Sequence, residues 1–336
     1  MNTGNIASED DLLGLIDRYF PREHRNVALE RGDDCAEIRC PETMAVSTDL
    51  FLEDAHFRRS YFTPEEIGHK ALAVNLSDLA GAGAVPLGFS VGLIAPAPFS
   101  AAMAEGVIKG MAKLAAAHAI PLTGGDISRG EKLGFCITIW GGPATPEAPF
   151  LRRGSVKPGY RIFLLGEPGL ARAGLIMLES EGRAALPYYP ACCQAHLQPD
   201  PLVTEGLLLA KATVSAPGCR LMDISDGLAR DLPRLLGDFG ADITLEANSL
   251  HHELLAFLRE RGGAAADDPA AFAFMGGEEY GLLGACPEEA FPALRAACDG
   301  SRRLLDLGVV RETPGIRLNG RDFSLSGFDH FAPSTN

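Results

Sequence analysis

The chain is expected to be an α/β protein, helices layered on sheets, built as two domains. Three observations support this. Its 336 residues exceed what one small core organises. Apolar runs of strand length alternate with helical patterns through both halves. Between the halves, Gly141-Gly142-Pro143 to Pro149 gathers glycine and proline where periodicity disappears, as a linker does. The domains are therefore 1–145 and 150–336.

Ser8 caps a first helix, with Asp11 as its capping-box partner. Leu12, Leu13, Leu15, Ile16, Tyr19 and Phe20 give that helix an apolar face, and Pro21 stops it. Gly32-Asp33-Asp34-Cys35-Ala36 reads as a turn before a short strand, and a strand over about 44–50 follows. Thr63-Pro64-Glu65-Glu66 supplies an N-cap, a first-turn proline and first-turn acids for a helix reaching about Ala80. Asn75 and Asp78 lie three apart on it and share a face. A strand over about 88–94 precedes a long alanine-rich helix from Ser100 to about His118. Gly124-Gly125-Asp126 reads as a glycine turn, and Leu133–Trp140 as a continuous apolar strand.

After the linker, Lys157-Pro158-Gly159 is a turn and Arg161–Leu165 a strand. Gly166-Glu167-Pro168-Gly169 opens a helix. The segment 181–200 reads as irregular, and Pro201–Thr213 as helical. Leu221-Met222 leads into Asp223-Ile224-Ser225-Asp226-Gly227, then a helix through Leu236. A strand over Ala241–Ala247, a helix to about Arg261 and a loop over Gly262–Pro269 follow. Phe272–Phe274, Gly276-Gly277-Glu278-Glu279 and Tyr280–Cys286 read as strand, turn, strand.

The composition, 46% hydrophobic and 22% charged, is that of a globular protein. A formal net charge of −14 argues against a nucleic-acid or anionic-membrane partner, since both need basic surface. No apolar run is long enough to span a bilayer, and the N-terminus, MNTGNIASEDD, is unlike a secretory signal. A cytoplasmic location is expected. None of the eight cysteines forms a C-x-x-C pair, so free thiols are expected.

The chemistry is carried by short acidic islands. Ala45-Val46-Ser47-Thr48-Asp49-Leu50 is an apolar run ending in two hydroxyls and a carboxylate, followed by Glu53, Asp54 and His56. Gly32-Asp33-Asp34, Asn75-Leu76-Ser77-Asp78, Gly124-Gly125-Asp126, Asp223-Ile224-Ser225-Asp226-Gly227 and Gly276-Gly277-Glu278-Glu279 repeat the format. Two unit charges about 4 Å apart repel by about 4 kcal/mol at an effective dielectric of about 20. A fold that gathers such groups needs cations. Oxygen-only ligation without a His/Cys cluster points to Mg2+, and Mg2+ points to nucleotide phosphates. Neither a Walker A sequence nor a protein-kinase motif set is present.

These islands, in this order, resemble the thiamine-monophosphate kinase family, which shares its superfamily with aminoimidazole ribonucleotide synthetase. The motifs are GDDCA at 32–36, STDLFLEDAHF at 47–57, IGHKALAVNLSDLAGAGAVP at 67–86, GGDIS at 124–128, MDISDGLARDL at 222–232, GGEEY at 276–280 and GFDHF at 327–331. The resemblance implies a two-domain PurM-like fold. Its N-terminal AIR synthetase-like domain would form a homodimer, and ATP and metals would sit in the cleft between domains. Asp33, Ser47, Thr48, Asp49, Asp78, Asp126, Asp223 and Asp226 match the family's metal positions. Gly125, Asp126, Arg152 and Ser225 are carried over as ATP contacts. His56 and Phe328 match positions that touch thiamine monophosphate, and Glu278 and Glu279 fall in a motif that faces substrate.

The implied reaction is in-line transfer of the ATP γ-phosphoryl group to thiamine monophosphate. No catalytic base is expected, because a phosphate monoester is largely ionised near neutral pH. Two positions depart from the family pattern: GGEDYEL reads Glu279 and Gly281 here, and a GGD-Thr motif reads Ile127. Both bear on thiamine specificity. The alternatives are an ATP-dependent enzyme of the same superfamily with another small substrate, or a non-catalytic nucleotide-binding relative.

Overall fold

A computed structural model describes residues 4–323. They fall in two compact units. The first runs up to Leu79 and from Ala84 to Ala144; the second comprises Ala80–Gly83 and the chain from Thr145 onward.

The first unit contains α1 (Glu9–Tyr19), β1 (Val27–Leu29), β2 (Glu37–Ile38), β3 (Ala45–Leu52), α2 (Pro64–Gly81), β4 (Ala84–Pro96), α3 (Ala101–Ala117), β5 (Leu122–Gly130) and β6 (Gly134–Pro143). Ser8 and Asp11 close a capping box on α1. Thr63 and Glu66 close another on α2: the Thr63 hydroxyl accepts from Glu66 N at 3.3 Å, and Glu66 Oε2 accepts from Thr63 N at 2.7 Å. A four-stranded sheet runs in the order β3-β6-β4-β5, with only β4 and β5 parallel. Phe135, Ile137 and Ile139 of β6 are buried on the face that meets the helices. On the opposite face Val46 is 61%, Leu50 57% and Ile94 40% exposed.

α2 is buried almost all round, with Ala71, Leu72, Ala73, Leu76 and Ala80 fully enclosed, so it has no broad polar face. It meets α3 backbone to backbone. A Cβ at Gly68 would stand 1.9 Å from Val107 O, and one at Gly110 would stand 2.0 Å from Glu65 O. This crossing places the residues that follow Gly68 along α2, including Asp78.

The second unit contains β7 (Arg161–Leu165), α4 (Leu170–Glu181), α5 (Pro190–Leu197), α6 (Val203–Ala212), β8 (Arg220–Asp223), α7 (Leu228–Leu236), β9 (Gly240–Ile243), α8 (His252–Arg261), α9 (Ala264–Asp267), α10 (Pro269–Phe274), β10 (Leu282–Cys286), α11 (Phe291–Cys298), β11 (Leu304–Arg311), β12 (Ile316–Leu318) and β13 (Arg321–Phe323). Its seven-stranded sheet runs β13-β12-β9-β11-β7-β10-β8. All neighbours are antiparallel except β12 and β9. Strand β7 is an interior strand between β11 and β10, with Phe163, Leu164 and Leu165 fully buried.

Four local expectations are corrected. Gly124-Gly125-Asp126 is not a turn but part of β5, paired with β4. Gly125 permits the close approach there, since a Cβ would lie 1.9 Å from Val91 O. The segment 181–200 is not irregular: it holds α5, whose first amides, Ala191 N and Cys192 N, are capped by the carboxylate of Glu253, some sixty residues away. Phe272–Phe274 is helical rather than extended, because Asp268 caps α10 and Pro269 occupies its first turn. The glycines at 141 and 142 finish β6 instead of starting the linker.

Replacing Gly110 with alanine forces a methyl against the Glu65 carbonyl. We expect Gly110→Ala to lower stability by about 1–3 kcal/mol. Trp140, the only tryptophan, lies in the first unit, so a urea titration followed by its fluorescence reads the shift.

Candidate active site

Alternation along β3 decides which acids meet. Residues of odd number face the helices, and those of even number face the open side of the sheet. Ser47 and Asp49 therefore point toward α2, anchored by buried Phe51 two residues on. Asp78 comes to them from α2. The Ser47 hydroxyl donates to Asp78 Oδ2, and Asp49 shares a hydrogen bond with the same carboxylate. Burial, and then the Asp78 charge, push the Asp49 carboxyl up to about 7. Near neutral pH the pair is therefore poised between holding one proton and repelling.

Thr48 stands on the other face, where its hydroxyl lies 2.8 Å from that of Thr138 on β6. Asp126 stands on the edge strand β5, paired with Gly92 of β4, with Ser128 donating to it at 3.4 Å. Asp33 accepts from Asp34 N at 2.7 Å. Asp33, Gly125 and Asp126 line one cavity of about 300 Å3 whose other walls include Phe20, Val107, Ile108 and Met111. The sheet thus separates Ser47, Asp49 and Asp78 from Thr48, within this unit.

The acids after β3 serve its turn. Glu53 pairs with Arg59 at 3.0 Å and accepts from Leu133 N, and Asp54 pairs with Lys132 at 3.0 Å. His56 Nδ1 accepts from Leu52 N at 3.1 Å, and its ring lies 5.8 Å from that of Phe51.

In the second unit, Asp223 ends β8 opposite Leu282 of β10. Ser225 is exposed, and Asp226 pairs with Arg234 at 2.7 Å. Two residues not singled out above hold this loop. Fully buried Asp231 accepts from Asp226 N at 2.9 Å and pairs with Arg234 at 2.7 Å. Buried His196 of α5 meets Glu278 at 3.2 Å. Asp231 sits in the MDISDGLARDL motif, five residues beyond Asp226, and that spacing was its signal. His196 carried none, because its helix is capped from a distance.

Glu279 accepts from Gly169 N at 2.8 Å and Ala171 N at 3.3 Å, at the start of α4. Burial pushes its carboxyl up to about 8, against the pull of those amides toward the anion. A side chain at 281 has no room, since a Cβ there would lie 2.6 Å from Leu165 O. Arg152 is exposed, with its carbonyl accepting from Leu221 N at 3.2 Å. Phe328 lies outside the described residues.

Among the described residues, no three His, Cys, Asp or Glu side chains form a cage for a metal ion. The donor set at Ser47, Asp49 and Asp78 still fits Mg2+, which takes one or two carboxylates and completes its shell with water and phosphate oxygens. A Zn2+-type cage would need more protein ligands. Among the described residues, no helix is long and apolar enough to cross a membrane.

Comparison with known proteins agrees with this architecture. Residues 32–142 match the family model for AIR synthase related protein, N-terminal domain. Thiamine-monophosphate kinase of Escherichia coli K12 is 33% identical over 345 residues, covering 95% of this chain and 98% of that protein. The crystal structure of thiamine-monophosphate kinase from Stenotrophomonas maltophilia K279a superposes with a TM-score of 0.77 at 28% identity, covering 92% of this chain and 96% of that one. AaThiL, the Aquifex aeolicus enzyme, complexed with AMPPCP and TMP, superposes with a TM-score of 0.73 at 26% identity over 96% and 97%. The fold is PurM-like, and with one-third identity maintained along nearly its whole length the chain belongs to the thiamine-monophosphate kinase family.

Proposed function

We propose that this protein transfers the γ-phosphoryl group of ATP directly to thiamine monophosphate, yielding thiamine diphosphate and ADP. Family membership supports this, as does the relative that holds AMPPCP and TMP together. The observation in this chain that carries it is the Asp49–Asp78 pair, two close carboxylates whose burial, and then mutual repulsion, raise Asp49 to about 7. Such a pair, with the Ser47 hydroxyl beside it, is built to be completed by a divalent cation.

Ser47, Asp49 and Asp78 would hold Mg2+, and we assign Thr48, Asp33, Asp126, Asp223 and Asp226 to metal as well. Mg2+ when bound supplies the positive charge that lets two polyanions approach. Gly125 and Asp126 form the polar end of the 300 Å3 cavity, whose apolar wall of Phe20, Val107, Ile108 and Met111 suits a nucleobase. We also assign Arg152 and Ser225, in the second unit, to ATP. His56, Glu278 and Phe328 take the thiamine monophosphate side. The Glu279 carboxylate caps α4, so its part in substrate binding is to hold the loop that carries Glu278. No side chain acts as general base, because the acceptor phosphate is already anionic near neutral pH, with a second pKa of about 6. The protein's work is alignment.

The open sheet face bearing Val46, Leu50 and Ile94 supports a homodimer through the first unit. All eight cysteines are free thiols, which supports a reducing, cytoplasmic location.

ADP release measured with and without thiamine monophosphate, with the product identified by mass, tests the reaction. ADP formation indifferent to thiamine monophosphate would refute it, and Asp49→Asn is expected to abolish the dependent turnover while leaving the fold intact. Stability follows a definite sign. Asp49 is raised from 3.8 to about 7, so its contribution is fully present below about pH 4 and is lost as pH rises through about 7. Asp78→Asn removes the charge but not the burial. The variant should therefore melt higher than wild type in chelator at about pH 8, with little difference at about pH 4, and Mg2+ should stabilise only the wild type. Finally, Leu50→Arg should convert the dimer to monomer in sedimentation velocity.

A further inference from the structure

The loop Gly276–Tyr280 is folded against its own residue preferences. It opens with two glycines, yet neither adopts a left-handed conformation; that falls instead on Glu278 (φ 61°) and Tyr280 (φ 48°). The glycines serve close approach. A Cβ on Gly277 would lie 3.1 Å from Ser225 O, and one on Gly276 would lie 3.1 Å from Gly169 Cα. Two backbone hydrogen bonds zip the loop to the segment between Asp223 and Asp226: Glu278 N–H donates to Ser225 O at 2.7 Å, and Tyr280 N–H to Ile224 O at 2.8 Å. Non-glycine residues in the left-handed region cost of order 1 kcal/mol and persist where the surroundings over-determine them.

What the strained backbone gains is an orientation for Glu278. Its side chain remains 27% exposed, while its partner, the His196 side chain, is 2% exposed. His196 Nδ1 lies 3.2 Å from Glu278 Oε2, within reach for an Nδ1–H to donate to that oxygen. On either side the loop is fixed, by the zipped backbone and by the Glu279 carboxylate at the start of α4. A half-buried histidine–carboxylate contact of this kind adds little net stability. Its effect is to fix one carboxylate oxygen and so to direct the other.

We propose that His196 is a positioning residue for thiamine monophosphate binding, acting from beneath by holding the Glu278 carboxylate in its substrate-facing orientation. The role rests on the reaction given above. His196 touches neither substrate nor metal in this scheme; it acts through Glu278.

Steady-state kinetics test this on the full-length enzyme. His196→Leu keeps the volume and removes the donor, whereas His196→Asn keeps a donor near the Nδ1 position. We expect His196→Leu to raise KM for thiamine monophosphate about tenfold, the size of one lost hydrogen bond to a charged group. KM for ATP should stay within about twofold, and His196→Asn should recover most of the loss. In a Glu278→Gln background, His196→Leu should add nothing further. Glu278→Gly, which relieves the left-handed strain, should weaken thiamine monophosphate binding without lowering the melting midpoint. Equal rises in both KM values, identical behaviour of the Leu and Asn variants, or additivity with Glu278→Gln would overturn the positioning role and leave the reaction standing. Wild-type enzyme without thiamine-monophosphate-dependent ADP release would overturn the reaction, and this role with it.

Discussion

Electrostatic repulsion between Asp49 and Asp78 is the constraint around which the first unit is built. An edge strand and a buried helix bring the two carboxylates together, Asp78 accepting from the Ser47 hydroxyl and sharing a hydrogen bond with Asp49. Water does not screen them well there, so Asp49 holds its proton to about pH 7. No stability argument explains the arrangement, since an asparagine at either position would be quieter. The scaffold nevertheless holds it rigidly. Helix α2 cannot drift, because at Gly68 and Gly110 its contact with α3 is made by backbone atoms. That rigidity keeps the two carboxylates side by side, where a divalent cation would balance them.

The second unit handles its acids differently. Asp226 is matched by Arg234, Asp231 is buried with backbone and arginine partners, and Glu279 caps a helix. Charge is balanced locally, and the cost appears in the backbone instead. Glu278 and Tyr280 occupy the left-handed region beside two glycines that do not. One unit thus stores its functional tension as repulsion, the other as strain. Both devices aim oxygen atoms, which suits a reaction in which little covalent chemistry is left to the protein.

The overall charge of −14 fits this chemistry despite anionic substrates. A kinase whose acceptor is itself a phosphate needs no base to create a nucleophile. Its barrier is the meeting of two anions. Carboxylates that recruit divalent cations answer that barrier directly, and a basic site made of lysine and arginine would fix charge without the open coordination positions a metal offers.

Much of this was legible in the residues. Local signals set α1, α2 and α3, because Ser8, Thr63 and Ser100 cap them within three or four residues. Strands β3, β6 and β7 announced themselves as apolar runs, and the acidic islands marked the chemistry and the family. Three things were settled only by tertiary structure, each because the deciding partner is distant in sequence. Helix α5 depends on a cap from Glu253, so His196 was invisible. Gly125 became a strand residue because β4 runs beside it, not because of its neighbours. Strand alternation, combined with where α2 lands, joined Ser47 and Asp49 to Asp78 and turned Thr48 away. The order of residues names candidate ligands; only the pleat of a strand and the crossing of two helices determine which of them share a face.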